Sequence, residues 1–476
     1  MAELMKKKAK KRILIVGAGE AGIMIAREVL AHPEEMYILV GFLDDDKEKQ
    51  GKEVSGVKVL GKINDIPNIV ADERIDDIFV AIPTASGKLI RKIAHLCETA
   101  NVEFRILPGI FNIIYGDAHM TQFREIDLED LLRREPIDLD IKSISSYIKG
   151  KRILITGAGG TIGAELVRQL TSFEPELLIL LGHGENSIYN IELEMRLKYE
   201  ASNIETIIGD IQDALRMDDV IGTYKPNIVF HTAAHKHVEL MEKNPIEAVK
   251  NNVIGTMNLI EASKKHKVEK FILISTDKAV NPICVMGSTK KIAEMLVQVA
   301  NKKSHTDFIT VRFGNVLGSR GSVVEMFKKE IEMEGPITIT HPDMERYFMT
   351  ISEAVQLVIQ ATAIGSGGDI LVLDVGEPIK IVDLAKDLIL LSGKYTNSIE
   401  IKYIGIRERE KLCEELFSQD EEIKPTSIPE IRIAVPLPID EKYLMEKVST
   451  LIQKTKSMDK DGVVREIKTL IQTYDR

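Results

Sequence analysis

Tryptophan is missing from the 476 residues, and cysteine occurs only at Cys97, Cys284 and Cys413. These thiols are widely spaced and form no ligand pair, which argues against a disulfide framework or a zinc knuckle and fits a reducing cytosol. Long apolar runs are lacking too. Stretches such as Leu177–Leu181 are strand-sized, far short of the ~20 residues that a membrane-spanning helix needs. No secretory leader is recognisable, because the basic start leads directly into a strand-like segment. Nor is there an excess of positive charge: the formal net charge of −10 gives no general reason to expect nucleic acid. The local exception is Lys6, Lys7, Lys8, Lys10, Lys11 and Arg12, readable as weak attraction to an anionic membrane surface or as a solvated tail. What is present is 44% hydrophobic and 29% charged residues, enough for large cores, in a chain long enough for two or three domains.

The chain repeats itself once. Lys11-Arg12-Ile13-Leu14-Ile15-Val16-Gly17-Ala18-Gly19 returns as Lys151-Arg152-Ile153-Leu154-Ile155-Thr156-Gly157-Ala158-Gly159. Each copy reads as a short apolar strand running through glycines into an amphipathic helix, so two nucleotide-type α/β domains are expected. In the first copy Gly17, Gly19 and Gly22 have the G-x-G-x-x-G spacing, whose tight turn lets backbone approach a pyrophosphate at a helix amino-terminus. A strand at Tyr37–Leu43 leads to Asp44, placed to bind a ribose hydroxyl. Strands at Asp77–Ile82 and Glu103–Leu107 complete a doubly wound pattern. The same spacing suits a domain that keeps the fold for assembly or regulation. Residues 1–124 are read as this domain, 125–150 as a charged connector with Pro136, and 151–476 as the second domain.

The second copy has glycines at Gly157, Gly160 and Gly163, with Thr161 and Ile162 between them. This G-x-x-G-x-x-G variant is the form found in extended short-chain dehydrogenases. Strands are expected at Leu177–Leu181, Glu205–Ile208, Asn227–His231, Lys270–Ser275, Phe308–Phe313 and Ile370–Val375. Asp210-Ile211 follows the third of the domain's strands, where an acid can receive an adenine amino group. The second strand ends in Gly182-His183-Gly184-Glu185 without the usual aspartate, and Glu185 is kept as a cofactor-binding candidate. No arginine or lysine follows closely to pair with a 2′-phosphate, so NAD is expected, with NADP as the alternative. The cofactor part is placed at about 151–317 and a substrate lobe mainly at 318–476.

His231-Thr232-Ala233-Ala234-His235-Lys236-His237 raises a metal hypothesis, but no carboxylate or cysteine completes a ligand set. The segment follows the fourth strand, where the carboxyl ends of a parallel sheet face the ligand. Ala233 and Ala234 there allow a close cofactor, and Lys236 and His237 are substrate-binding candidates. Next, Ser275-Thr276-Asp277-Lys278 closes the fifth strand and Met286-x-x-x-Lys290 follows. A short-chain dehydrogenase has Tyr-x-x-x-Lys at this point, its tyrosine taking the substrate hydroxyl proton. Met286 cannot do so, which speaks against an ordinary dehydrogenase or epimerase. Asp277 and Lys278 supply an acid and a base instead, while a surface ion pair is the bland alternative for them. Met286 is otherwise core filling.

At these residues the chain resembles the CapD-type polysaccharide biosynthesis family, and within it the long-form UDP-N-acetylglucosamine 4,6-dehydratases. The resemblance spans nearly the whole chain. It rests on Ala233-Ala234-His235-Lys236-His237-Val238, Thr276-Asp277-Lys278, Met286-x-x-x-Lys290, Arg312-Phe313-Gly314-Asn315-Val316-Leu317-Gly318-Ser319, Thr340 to Met349 and Asp374 to Pro378. Long-form members usually begin with several transmembrane helices, absent from this sequence, so a cytoplasmic protein, a peripheral one or a soluble part of an anchored enzyme is expected.

The resemblance implies a lyase that oxidises C4 of the sugar, eliminates water across C5 and C6, and returns the hydride to C6 from a retained nicotinamide. It further implies Thr276 on the C4 oxygen, Asp277 as C6 acid, Lys278 as C5 base with its pKa depressed by burial or by Lys290, and Lys290 on the nicotinamide ribose. Asn315, Ser319, Arg346, Arg407 and Glu410 become substrate-binding candidates, the last two for the uridine diphosphate. Arg407-Glu408-Arg409-Glu410-Lys411-Leu412 has lost the proline and glycine of the family turn. Methionine together with the extra first domain points to retention at C5. A homo-oligomer is expected. The rivals are a nucleotide-sugar 4-epimerase or reductase and a non-catalytic nucleotide-sensing regulator.

Overall fold

The computed structural model describes residues 10–32, 37–82, 85, 87–106, 132, 141–199, 203–302, 304–374, 376–392 and 399–475. Most of the expected connector, the lysines before Lys10, and Val375 lie outside them. The chain divides into two compact units, one formed by Met1–Glu135, Val323–Pro342 and Lys380–Ile404, the other by Pro136–Ser322, Asp343–Ile379 and Gly405–Arg476. The expected substrate lobe is thus shared between units. Among the described residues no helix is long and apolar enough to cross a membrane.

In the first unit, β1 (Lys11–Val16), β2 (Tyr37–Leu43), β3 (Glu53–Val54), β4 (Val57–Gly61), β5 (Asp77–Val80) and β6 (Glu103–Ile106) form one sheet in the order β3-β4-β2-β1-β5-β6. All its pairings are parallel except the β3–β4 hairpin. The basic run is partly strand: Lys11 pairs with Glu103 at 3.3 Å and Arg12 with Glu73 at 3.3 Å. Helix Ile381–Leu391 packs against helix Gly87–Thr99 in this unit.

The second unit is built on β7 (Arg152–Thr156), β8 (Leu177–Gly182), β9 (Ile204–Ile208), β10 (Ile228–His231), β11 (Lys270–Ile274) and β12 (Asp307–Arg312). The sheet runs β9-β8-β7-β10-β11-β12, then Ile370–Leu373, and ends in two antiparallel strands, Ile431–Val435 and Glu422–Pro425. Its central strands are apolar on both faces because helices cover both faces of a parallel sheet. Alternation then sorts the core: Leu154, Val229 and Phe271 pack on one side, Ile153, Phe230 and Ile272 on the other.

The tail forms helices Glu441–Lys456 and Lys460–Leu470, each started by an aspartate cap, Asp440 on Tyr443 N–H and Asp459 on Gly462 N–H. Leu444, Val448, Val463 and Ile467 bury in the first of those core layers, beside helix Val285–Asn301. Between β7 and β10 the strand order reverses, and a ligand crevice opens at the carboxyl ends of such neighbours.

Candidate active site

The fifth strand of the second unit delivers the reactive cluster. β11 stops at Ile274, and Thr276 caps the single helical turn Asp277–Ala279. Thr276 Oγ1 donates to Asp277 Oδ1 at 2.8 Å, and Lys278 Nζ donates to the same oxygen at 3.0 Å. Lys278 Nζ also donates to Asn315 Oδ1 at 3.2 Å and lies 3.6 Å from Glu414 Oε1. The Asp277 side chain is completely buried, and neither its Oδ2 nor Glu414 Oε2 has a hydrogen-bond partner among the described residues. Both oxygens are buried and keep acceptor capacity for a proton.

Burial by itself would pull the Lys278 ammonium down, yet the adjacent Asp277 and Glu414 carboxylates outweigh it and hold the group above its ordinary value. The shift is thus opposite in direction to the depressed lysine expected from the sequence. Burial raises the Glu414 carboxyl, and the charge of Asp277 adds to the shift against the pull of Lys278 and Arg346. The pKa of Lys290 does fall, to about 8, because it is buried and Glu294 offsets only part of that cost. Its Nζ donates to Ile274 O at 2.6 Å.

Met286 is packed in the core beneath this site. Gly287, on the same helix, has no room for a Cβ because the Lys278 carbonyl occupies that space, so helix Val285–Asn301 approaches the catalytic turn closely.

The glycine loop follows β7 at the carboxyl end of the same sheet. Gly157 has φ +67°, Gly160 caps helix Thr161–Thr171 without a side-chain bond, and a Cβ on Gly163 would strike Gly157 O. Free helix amides at such a turn suit a pyrophosphate. Arg320, which the sequence reading did not single out, donates to Gly159 O at 2.6 Å, and its backbone N–H reaches Thr161 Oγ1 at 3.3 Å. Ser319 lies in the same turn. Ile162 packs against the core and Glu185 is exposed in the first turn of helix Glu185–Lys198. Asp210 is exposed after β9 with its Oδ1 accepting Gln212 N–H, and Ile211 is buried.

Beyond β10, Asn252 fastens the Ala233–His237 loop. Its Oδ1 accepts His235 N–H at 2.9 Å, and its Nδ2 donates to His235 O and Thr289 Oγ1, each at 3.0 Å. Asn252 sits in a one-turn π-helix, Lys250–Ile254, a local widening with no sequence signature. Ala234, Lys236 and His237 are exposed, and the His237 ring lies over Gly321.

His231 is a core residue. Its ring nitrogens meet Thr156 Oγ1 at 2.9 Å and Thr256 Oγ1 at 3.0 Å, and burial, aided by Lys290, drives its pKa to about 3. Among the described residues no group of three His, Cys, Asp or Glu is arranged to hold a metal. The folded chain keeps His231 neutral where the unfolded chain protonates it near pH 6.5. This residue then has no effect on stability above that pH and costs about 2 kcal/mol as pH falls from about 6.5 to about 5. His231→Gln is expected to flatten that part of the pH dependence in urea unfolding, and an unchanged slope would contradict the assignment.

The substrate candidates are not gathered as free groups. Arg346 is buried, with Nη1 donating to Leu412 O at 2.9 Å and Glu345 O at 2.7 Å and Nη2 to Lys411 O at 2.8 Å. It anchors the 407–412 segment through those carbonyls, with Glu410 3.6 Å away, instead of presenting an empty fork to a diphosphate. Arg407 is half-exposed and pairs with Glu239 at 2.8 Å. Its backbone N–H reaches Glu410 Oε2 at 3.3 Å.

The first unit has the expected turn, with Gly17 at φ +102° and Gly22 against Gly17 O, while Gly19 caps helix Glu20–Ala31. Asp44 is turned inward, its Oδ2 accepting Ala18 N–H at 2.8 Å and Lys49 Nζ at 3.2 Å. Those bonds, with the Asp46 amide, lower its pKa despite burial. The carboxylate expected to face a ribose thus braces the loop itself.

Residues 153–436 match the family model described as "Polysaccharide biosynthesis protein". The chain belongs to the CapD-type polysaccharide biosynthesis family. In this family member residues 1–108 also match a model described as a CoA-binding domain. The capsular polysaccharide biosynthesis protein CapD of Staphylococcus aureus is 49% identical over 425 residues, 88% of this chain and 71% of its own length. A UDP-N-acetylglucosamine 4,6-dehydratase (inverting) of Campylobacter jejuni is 35% identical over 279 residues, 57% of this chain and 79% of its own.

Of solved structures, Pen from Bacillus thuringiensis has 35% identity and a TM-score of 0.57, over 61% of this chain and 91% of its own. DesIV, a dTDP-glucose 4,6-dehydratase of Streptomyces venezuelae solved with NAD bound, has 18% identity and a TM-score of 0.50, over 56% and 88%. This polysaccharide biosynthesis protein shares the extended short-chain dehydrogenase fold with them.

Proposed function

We propose that the chain is a UDP-N-acetylglucosamine 4,6-dehydratase that retains configuration at C5. The observation that supports this most is the chain of contacts Thr276–Asp277–Lys278, an acid and a base on one carboxylate oxygen at the end of β11, with a thioether at Met286 where a dehydrogenase has a phenol. An epimerase or reductase has no use for that pair. The glycine turn at Gly157, the bare helix amino-terminus at Gly160 and the buried Lys290 suit a nicotinamide dinucleotide, NAD in our reading. Such a cofactor, when bound, accepts a hydride from C4 and returns it to C6.

The protein's part is to move protons. Thr276 Oγ1 hydrogen-bonds the C4 oxygen and passes the hydroxyl proton to Asp277, with which it already shares a 2.8 Å bond. Asp277, now neutral, holds that proton for the departing C6 hydroxyl, so one proton serves both ends and no separate C4 base is needed. Lys278 removes the C5 proton made acidic by the C4 carbonyl and gives it back on the same face. Each positioned transfer contributes about 10²–10⁴-fold.

The test is to incubate the protein with UDP-N-acetylglucosamine in deuterated water without added nicotinamide and to follow it by NMR. The expected product is a 4-keto-6-deoxy sugar carrying deuterium at C5, with couplings after reduction that report the original configuration. The opposite C5 configuration would overturn retention alone. An unchanged sugar, with NAD and NADP also supplied, would overturn the substrate assignment.

A further inference from the structure

Lys278 enters the proposed reaction with one proton too many. Asp277 at 3.0 Å and Glu414 at 3.6 Å favour its ammonium form, whereas removing the C5 proton requires a free amine. Protonation of Asp277 from the C4 hydroxyl weakens its hold, but the Lys278 proton still needs a destination. Glu414 Oε1 lies 3.6 Å from Nζ, its side chain is 5% exposed, and its Oε2 has no hydrogen-bond partner. Such a carboxylate accepts a proton with less loss of solvation than an exposed one, because it has little solvation to lose.

Its placement is built with several ties. Lys411 Nζ donates to Val280 O at 2.9 Å, and Asn281 Nδ2 donates to Glu415 Oε2 at 3.1 Å, so residues on both sides of Glu414 are pinned to the catalytic turn. Below them Arg312 makes paired bonds to Glu294 and Glu421 and also reaches Leu416 O at 3.4 Å. The segment that carries Glu414 is therefore tied to the catalytic turn on both sides.

We propose that Glu414 is the proton store for Lys278, taking the Nζ proton before C5 is deprotonated and returning it at the end of the turnover. The inference rests on the dehydratase reading. The C4 hydroxyl proton passes through Thr276 to Asp277, and the Lys278 proton passes to Glu414. The neutral amine takes the C5 proton, while Asp277 protonates the C6 oxygen, which leaves as water with the C6–O bond pair as the C5–C6 double bond forms. Hydride returns to C6, Lys278 gives its proton to C5, and Glu414 restores the ammonium. Glu414 never touches the sugar in this scheme and is a positioning residue for charge. Asp277, Arg346, Lys411 and Cys284 are the other titratable groups acting on the Lys278–Glu414 pair.

The test compares Glu414→Gln and Glu414→Asp with the wild type in two ways. Turnover of UDP-N-acetylglucosamine is measured against pH. In the chain without added ligand, trace acylation of Lys278 is read against pH by mass spectrometry. Glu414→Gln is expected to lower kcat about 10²-fold near neutral pH, with KM changed less than about threefold and a residual rate that climbs with pH as solvent takes the Lys278 proton. Its Lys278 is expected to become reactive at lower pH, because one of the two charges holding the ammonium is gone. Glu414→Asp should recover at least about tenfold of the lost kcat.

A wild-type kcat and pH profile in Glu414→Gln, or an unmoved Lys278 labelling curve, would overturn the store. So would a low kcat that no longer responds to pH and is not recovered by aspartate, which is the outcome of a purely structural role. A wild-type protein that leaves the sugar unchanged overturns the dehydratase reading itself, a result visible before any variant is made.

Discussion

Lys278→Met is expected to lower the rate of dehydration by about 10²–10⁴-fold, while sugar binding persists. Methionine fills nearly the same volume but has no nitrogen to receive the C5 proton. Deuterium incorporation at C5 should disappear along with product, because both need the same amine. The substitution also takes a cation from between Asp277 at 3.0 Å and Glu414 at 3.6 Å. Glu414, already raised by burial, then loses the charge that opposes the shift. An acid whose folded pKa lies above its unfolded value binds more protons when folded, so its contribution to stability falls as pH rises through that window. Lys278→Met should accordingly lose stability relative to the wild type as pH rises above the ordinary glutamate value of 4.5. A variant that keeps a tenth or more of wild-type turnover would remove Lys278 from the mechanism.

Arg312→Leu is expected to destabilise the second unit by about 3–5 kcal/mol, the usual consequence of leaving buried charge without its partner. Arg312 is completely buried at the end of β12. It donates to Glu294 at 2.8 Å and 3.2 Å and to Glu421 at 3.0 Å and 3.2 Å, and Ser275 Oγ adds a 2.6 Å bond to Glu294. Glu294 stays ionised despite burial chiefly because Arg312 and Lys291 offset the lost hydration. Leucine would keep the bulk and strand both carboxylates. Urea unfolding measures the loss, and a change below about 1 kcal/mol would show that water or Lys291 takes over. Because Ser275 precedes the catalytic turn and Glu421 lies on the segment carrying Glu414, turnover should fall even in the fraction that remains folded.

Much of this molecule was legible in the residues. β7, β8 and β10 to β12 could be read within about a residue because buried parallel strands are short continuous runs of Ile, Leu, Val and Phe bounded by glycine or polar residues. The Thr276-Asp277-Lys278 cluster was equally visible, since adjacent residues at a strand end stay adjacent in space. Lys290 was legible by its spacing from Met286 on one helix.

Other parts depended on contacts between residues far apart in sequence. Nothing around Glu414 marks it as a neighbour of Lys278, and Arg312 looks like part of a strand motif until Glu294 and Glu421 close around it. Arg346 has the chemistry for a diphosphate, yet backbone carbonyls from residues 411 and 412 consume its donors. Asp44 has the position for a ribose, yet the Ala18 amide claims it. The sign of the Lys278 shift was hidden for the same reason: burial alone predicts a lower value, and only the two facing carboxylates reverse it.

The sequence by itself determined the two glycine-turn domains, the alternation of strands and helices of a doubly wound sheet and the chemical types at the reactive turn, because local patterns and short spacings carry them. Tertiary structure alone decided which charges face one another in the dry interior. Coulomb energies there depend on distances of a few ångströms between segments that the chain brings together only on folding.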